Sequence, residues 1–184
     1  VLFGQSFGGM VAMHYAAHHP TEVSKLILSS TAAQFRLDET VKMMSQLGGD
    51  NAAEIARQFF SNPSQEAYDA YGDVCLPLYS NPNKAAADAF RERAIERPEV
   101  ALHFFANEMA HMDMRNEIKA IVCPTLVIGG TIDPVTPPIC SQEIANAIGN
   151  NAHLQMFEGC GHGPHRDDPE SAEKVMRRFL SGHI

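Results

Sequence analysis

No run of apolar residues in this chain approaches a membrane span: stretches such as Leu126-Val127-Ile128 end after a few residues, where ~20 would be needed. A membrane role is not expected. Basic residues are also scarce. Lys and Arg number 14 against 22 Asp and Glu, a formal net charge of -8. With no Lys/Arg cluster, this argues against a binder of nucleic acid. Cysteines are few, and Cys75, Cys123, Cys140 and Cys160 share no tight spacing, so they read as buried free thiols of a reducing compartment. No dinucleotide fingerprint appears, and Gly8-Gly9 and Gly129-Gly130 lack the lysine and spacing of a phosphate loop. No cofactor is expected. The first residue is Val1, and no charged segment with a cleavage site follows it, so a cytoplasmic location is expected.

What is present is an ordinary globular composition, 184 residues with 45% hydrophobic and 20% charged side chains, enough for one substantial core with an insertion. Short apolar runs at 1–3, 26–30, 125–130 and 153–157 read as strands. Helical periods occupy 8–18, 139–148 and 169–180. In the last of these Asp168 suits the N-cap and Pro169 the first turn. This rhythm predicts an α/β fold, a mostly parallel sheet flanked by helices. Residues 35–115 break the rhythm. They hold helical segments at 43–44, 55–60, 85–93 and 100–109, interrupted by Asn62-Pro63, Asn81-Pro82 and Pro98. The expected organisation is core at 1–34, a helical cap at 35–115 over the strands' carboxyl ends, and core again at 116–184.

The chemistry starts at Gly4-Gln5-Ser6-Phe7-Gly8, a serine between a short strand and a helix, flanked at two residues on either side by glycine. Such flanks let strand and helix approach closely while the serine stands on a strained, exposed turn. An activated hydroxyl needs an imidazole, and that imidazole needs an orienting anion. Asp133 follows the strand at 125–130 and is stiffened by Pro134, while His162 follows the strand at 153–157 between Gly161 and Gly163. If the strands run parallel, all three emerge at one edge of the sheet. The expected roles are Ser6 as nucleophile, His162 as general base and then acid, and Asp133 as the group fixing the imidazole. The Phe7 N–H, at the helix start, would supply one oxyanion donor.

These residues resemble the α/β-hydrolase superfamily. Gly4-Gln5-Ser6-Phe7-Gly8-Gly9 is similar to its nucleophile elbow. Pro124 to Gly130 with Asp133 is similar to its penultimate strand and acid loop. Gly159-Cys160-Gly161-His162 before Asp168-Pro169-Glu170 is similar to its histidine loop and last helix. The likeness implies a partial α/β-hydrolase fold missing its amino-terminal part, with the second oxyanion donor upstream of Val1. A serine at the elbow argues against the branches that attack with a carboxylate.

Asp133-Pro134-Val135-Thr136-Pro137 and Gly161-His162-Gly163-Pro164 resemble proline iminopeptidase-like enzymes. That branch implies cap acids that hold a substrate's amino group, for which Glu108 and Asp113 are candidates beside the pocket candidates Phe105 and Met109. The resemblance therefore implies first a serine aminopeptidase of that type, cleaving an amide or ester bond of a small molecule or short peptide; carboxylesterases, lactonases and carbon–carbon bond hydrolases share the layout and are the alternatives. The alternative from another class is a ligand-binding protein on a hydrolase scaffold.

Two histidine pairs remain. His14 and His18, four apart on a helix, would suit a metal. No third ligand is signposted, His18-His19-Pro20 reads as a solvated helix end, and no metal site is expected. His165 reads as a loop side chain near Asp167 or Asp168, with a place at the pocket rim as the alternative.

Overall fold

The computed structural model describes residues 1–80, 95 and 97–184. The chain enters through β1 (Leu2–Gln5), turns at Ser6 into α1 (Phe7–His18) and returns through β2 (Leu26–Ser29). A helical stretch follows: α2 (Leu37–Ser61), kinked at Gly49, α3 (Gln65–Val74), a 3-10 turn (Leu76–Tyr79) and α4 (Pro98–His103). The last of these runs on into a π-helical turn (Phe104–Glu108). A 3-10 turn (Glu117–Ala120) leads back to β3 (Thr125–Gly130), α5 (Pro138–Ile148), β4 (Ala152–Phe157), the short α6 (Pro164–Asp167) and α7 (Pro169–Leu180). The strands form one sheet in the order β1-β2-β3-β4, parallel throughout. This is a mostly parallel sheet flanked by helices with an inserted helical region, a partial α/β-hydrolase fold. No helix of the described residues is long and apolar enough to cross a membrane.

Strand side chains alternate between two packed faces. Leu26, Leu28 and Val127 join Met13 and Ala16 of α1 and Ile144 of α5 in one cluster. Ile27, Leu126 and Ile128 meet Ala172 and Phe179 of α7 on the other face. Burial on both faces is why β2 and β3 read as unbroken apolar runs rather than alternating ones. Asp168 caps α7, its Oδ1 accepting from the Ser171 N–H at 3.2 Å, as its place before Pro169 suggests.

The inserted helices carry a cluster of their own, centred on Met44, Phe59, Phe60 and Tyr71. Phe59 packs its ring against Phe60, Tyr68, Tyr71 and Phe105, so most of the aromatic content of this region serves helix packing. Gln34 and Asp113 form an antiparallel bridge where the chain leaves and re-enters the sheet layer. The helix expected at 85–93, with Phe90, lies outside the described residues. The helix expected at 100–109 begins at Pro98 and becomes π-helical from Phe104. All four cysteines are buried and free, and burial pushes the Cys75 thiol up to about 11 and Cys140 up to about 12.

Candidate active site

The turn between β1 and α1 holds Ser6 at φ 51° and ψ −124°, a positive φ that a non-glycine residue rarely adopts. The turn is held from below. The Ser6 N–H donates toward the Ser29 and Ser30 carbonyls at 3.0 and 3.1 Å, and Thr31 Oγ1 donates to the Ser6 carbonyl at 2.7 Å. Ser30 is itself at φ 45° and buried. The tight approach of strand and helix depends on Gly4, where a Cβ would lie 2.4 Å from the Gly8 carbonyl oxygen and 2.7 Å from the Gly9 Cα. The matching expectation for Gly8 is corrected: a Cβ there would meet nothing within 4 Å, whereas one at Gly9 would strike Thr31 at 2.6 Å. Phe7 opens α1, so its N–H belongs to the first turn and has no intrahelical acceptor.

Asp133 and His162 meet at the carboxyl ends of β3 and β4, both almost completely buried. His162 Nδ1 lies 2.9 and 3.0 Å from the two Asp133 carboxylate oxygens. The acid loop prepares that carboxylate. Oδ1 accepts the Val135 and Thr136 N–H groups at 2.9 Å each, and Oδ2 accepts the Thr136 hydroxyl at 2.8 Å. Burial pushes the Asp133 carboxyl up. The charge and hydrogen bond of His162 and the two N–H donors outweigh it, so the net direction is down and the group is an anion.

The histidine loop is gripped from the inserted region. The His162 N–H donates to the Tyr79 carbonyl at 2.6 Å, and the two rings pack edge-on with centroids 5.1 Å apart. Gly161 makes that approach possible, since a Cβ there would stand 2.4 Å from the same Tyr79 oxygen. Gln5, beside the elbow serine, donates its side-chain amide to the His162 carbonyl at 3.1 Å. This bond ties elbow and histidine loop together. Among the described residues the Ser6 hydroxyl forms no hydrogen bond to the His162 ring. Sequence reasoning missed Gln5, Thr31, Tyr79 and Thr136. Only Thr136 carried a signal, as a hydroxyl three residues after the acid in an Asp-turn pattern.

The four cap candidates separate. Phe105 and Met109 line a cavity of about 180 Å³ with Gln34, Phe35, Phe60 and Met112. Glu108 and Asp113 are exposed and do not line it. Asp113 is engaged by Arg115, whose Nε and Nη2 donate at 2.8 and 2.6 Å, and those bonds hold its carboxyl down at about 2. Phe104, next to Phe105, packs edge-on against Phe7 with centroids 4.8 Å apart, so the cavity wall lies one ring from the elbow. His165 sits in α6, not in an open loop. Its ring lies edge-on to Phe3 at 6.0 Å, and its Nδ1 is buried without a partner.

A sequence-family model described as serine aminopeptidase, S33, matches residues 1–169. The chain belongs to this α/β-hydrolase family. The relatives it resembles have varied names. A monoacylglycerol lipase of Xenopus laevis is 28% identical over 98% of this chain, and a pimeloyl-[acyl-carrier protein] methyl ester esterase of Neisseria meningitidis is 26% identical over all of it. The chain spans 54% of the lipase and 69% of the esterase. Among solved structures, a proline iminopeptidase of Mycobacterium smegmatis superposes with a TM-score of 0.73 at 19% identity, covering 98% of this chain and 64% of that one. That likeness shows the α/β-hydrolase fold. Names as different as lipase, esterase and iminopeptidase leave the bond cleaved to be argued from the site.

Proposed function

We propose that this protein is a serine hydrolase working through Ser6, His162 and Asp133. The observation that carries the reading is the buried His162–Asp133 pair, 2.9 Å apart, at the same sheet edge as a serine held at positive φ. In this mechanism Ser6 Oγ attacks a carbonyl carbon while His162 Nε2 takes its proton. Asp133 holds the other ring nitrogen, fixing the tautomer and stabilising the imidazolium. The Phe7 N–H, at the positive end of α1, donates to the oxyanion. The imidazolium then protonates the leaving alcohol or amine, and a water activated by His162 releases the acyl group from Ser6.

For the substrate, the aromatic and methionine side chains that line the cavity, Phe35, Phe60, Phe105, Met109 and Met112, favour a carboxylic ester of a small molecule with an apolar acyl or alcohol part. Neither acid expected to hold an amino group lines that cavity. The second reading is an aminopeptidase of the proline iminopeptidase type acting on short peptides, which the family description supports. On either reading residues 35–115 serve as a cap.

The test uses the natural gene product that contains residues 1–184. A fluorophosphonate should add its mass at Ser6 in the wild type and not in Ser6→Ala. No labelling of a folded wild type would overturn the hydrolase reading and favour a binding protein. Turnover of p-nitrophenyl butyrate against proline p-nitroanilide then decides between ester and amide.

A further inference from the structure

His14 and His18 stand one turn apart near the end of α1, and the 3-10 turn Glu117–Ala120 brings Glu117 against them. The fold thus supplies the third ligand that the sequence pattern did not signpost. One ligand atom from each of the three lies within 4.8 Å of the other two. We propose that His14, His18 and Glu117 form a surface site for a divalent transition-metal ion of the zinc type, with a fourth position open to water.

Three observations support it. The donor set, two imidazoles and a carboxylate, suits Zn(II) and its neighbours and is poor for Mg(II) or Ca(II). His18 donates Nδ1–H to the His14 carbonyl at 3.0 Å. That fixes its tautomer and leaves Nε2 with the free lone pair, the arrangement ligating histidines commonly have. The Glu117 carboxylate approaches His14 Nδ1 at 2.7 Å and His18 Nδ1 at 3.5 Å, and among the described residues it pairs with no Lys or Arg. Tetrahedral zinc with bonds of ~2.0–2.2 Å sets its donors about 3.3 Å apart. The ion would therefore take the place of the proton between His14 Nδ1 and Glu117, whose 2.7 Å separation would open by about 0.6 Å, with His18 Nε2 as the third donor. Once bound, it ties α1, the helix that begins at the elbow, to the turn that leads into β3.

The proposal does not depend on the hydrolase reading, and its test reads binding rather than turnover. Zn(II) is titrated calorimetrically into the natural gene product that contains residues 1–184, with its thiols kept reduced. Co(II) serves as a spectroscopic probe of tetrahedral coordination. The expected result is one ion per chain at micromolar metal and a Tm raised by saturating Zn(II). Each of His14→Ala, His18→Ala and Glu117→Gln should weaken binding at least ten-fold, with folding confirmed by circular dichroism. His14→Gln/His18→Gln, which keeps polar side chains on the helix, should do the same, while His153→Ala should leave it unchanged. Absence of saturable binding would overturn the proposal. So would equal affinity across the wild type and these variants, which would put the ion at the thiols or His162.

Discussion

The Asp133 carboxylate takes three hydrogen bonds from its own loop before His162 reaches it. A buried anion with that many donors is fixed in place. Asp133→Asn should therefore preserve the fold and lower kcat about 1,000- to 10,000-fold, because an amide favours the wrong imidazole tautomer; steady-state kinetics with the ester substrate checks it. Thr136→Val removes one donor from the same carboxylate and should cost about 1–3 kcal/mol of stability, read by chemical denaturation. His165 gives a pH prediction. Burial, and then the charge of Arg166, push its pKa below the ordinary imidazole value. Below about pH 6.5 the unfolded chain therefore binds a proton that the folded chain refuses. The contribution of His165 is complete above that value and is lost as pH falls toward the lower folded one. Denaturation midpoints should drop from pH 8 to pH 5.5, with a shallower drop in His165→Leu. An equal slope in the two proteins would refute this.

At the scale of elements, two close approaches hold the candidate site together, β1 against α1 and the histidine loop against the Leu76–Tyr79 turn. In Gly4→Ala the new methyl would lie 2.4 Å from a backbone oxygen, which no side-chain rotation relieves. The variant should lose about 1–3 kcal/mol or more in denaturant melts, as overpacked interiors do. Gly8→Ala, with open space around the new methyl, should change little. The pair tests which glycine of the elbow is sterically required. The inserted helices also reach the acid loop, since Thr40 Oγ1 of α2 donates to the Val135 carbonyl at 3.0 Å. Acid loop and histidine loop are thus both held from the inserted region.

At the scale of the whole molecule, β1 pairs only with β2 among the described strands. Val1, Phe3, Phe7, Val11 and Tyr15 all expose large apolar side chains on the strand and helix at that end. An unpaired edge beside exposed apolar side chains favours association between chains. The 184-residue chain should therefore show light scattering that rises with concentration, and Val11→Glu, outside the core, should reduce it. A monomer at high concentration would refute this prediction.

Much of this protein was legible in local sequence. The strand–helix rhythm follows from apolar runs and periods of a few residues. Ser6, Asp133 and His162 each follow directly on a strand, so a parallel sheet brings them to one edge. The nature of the surroundings was not local. Tyr79 touches His162 from 83 positions away only because Gly161 admits its carbonyl. Asp113 is paired with Arg115 and stands outside the cavity that Phe105 and Met109 line, and only the packing of Gln34 and Phe60 against that segment shows where the cavity lies. Glu117 joins His14 across 103 positions. The sequence by itself determined the fold class and the order of the candidate triad, because each depends on residues next to one another in the chain. Tertiary structure alone decided which glycine is indispensable, which cap residues line a cavity and which surface histidines gain a third ligand. Each of those depends on distances between segments that only packing brings together.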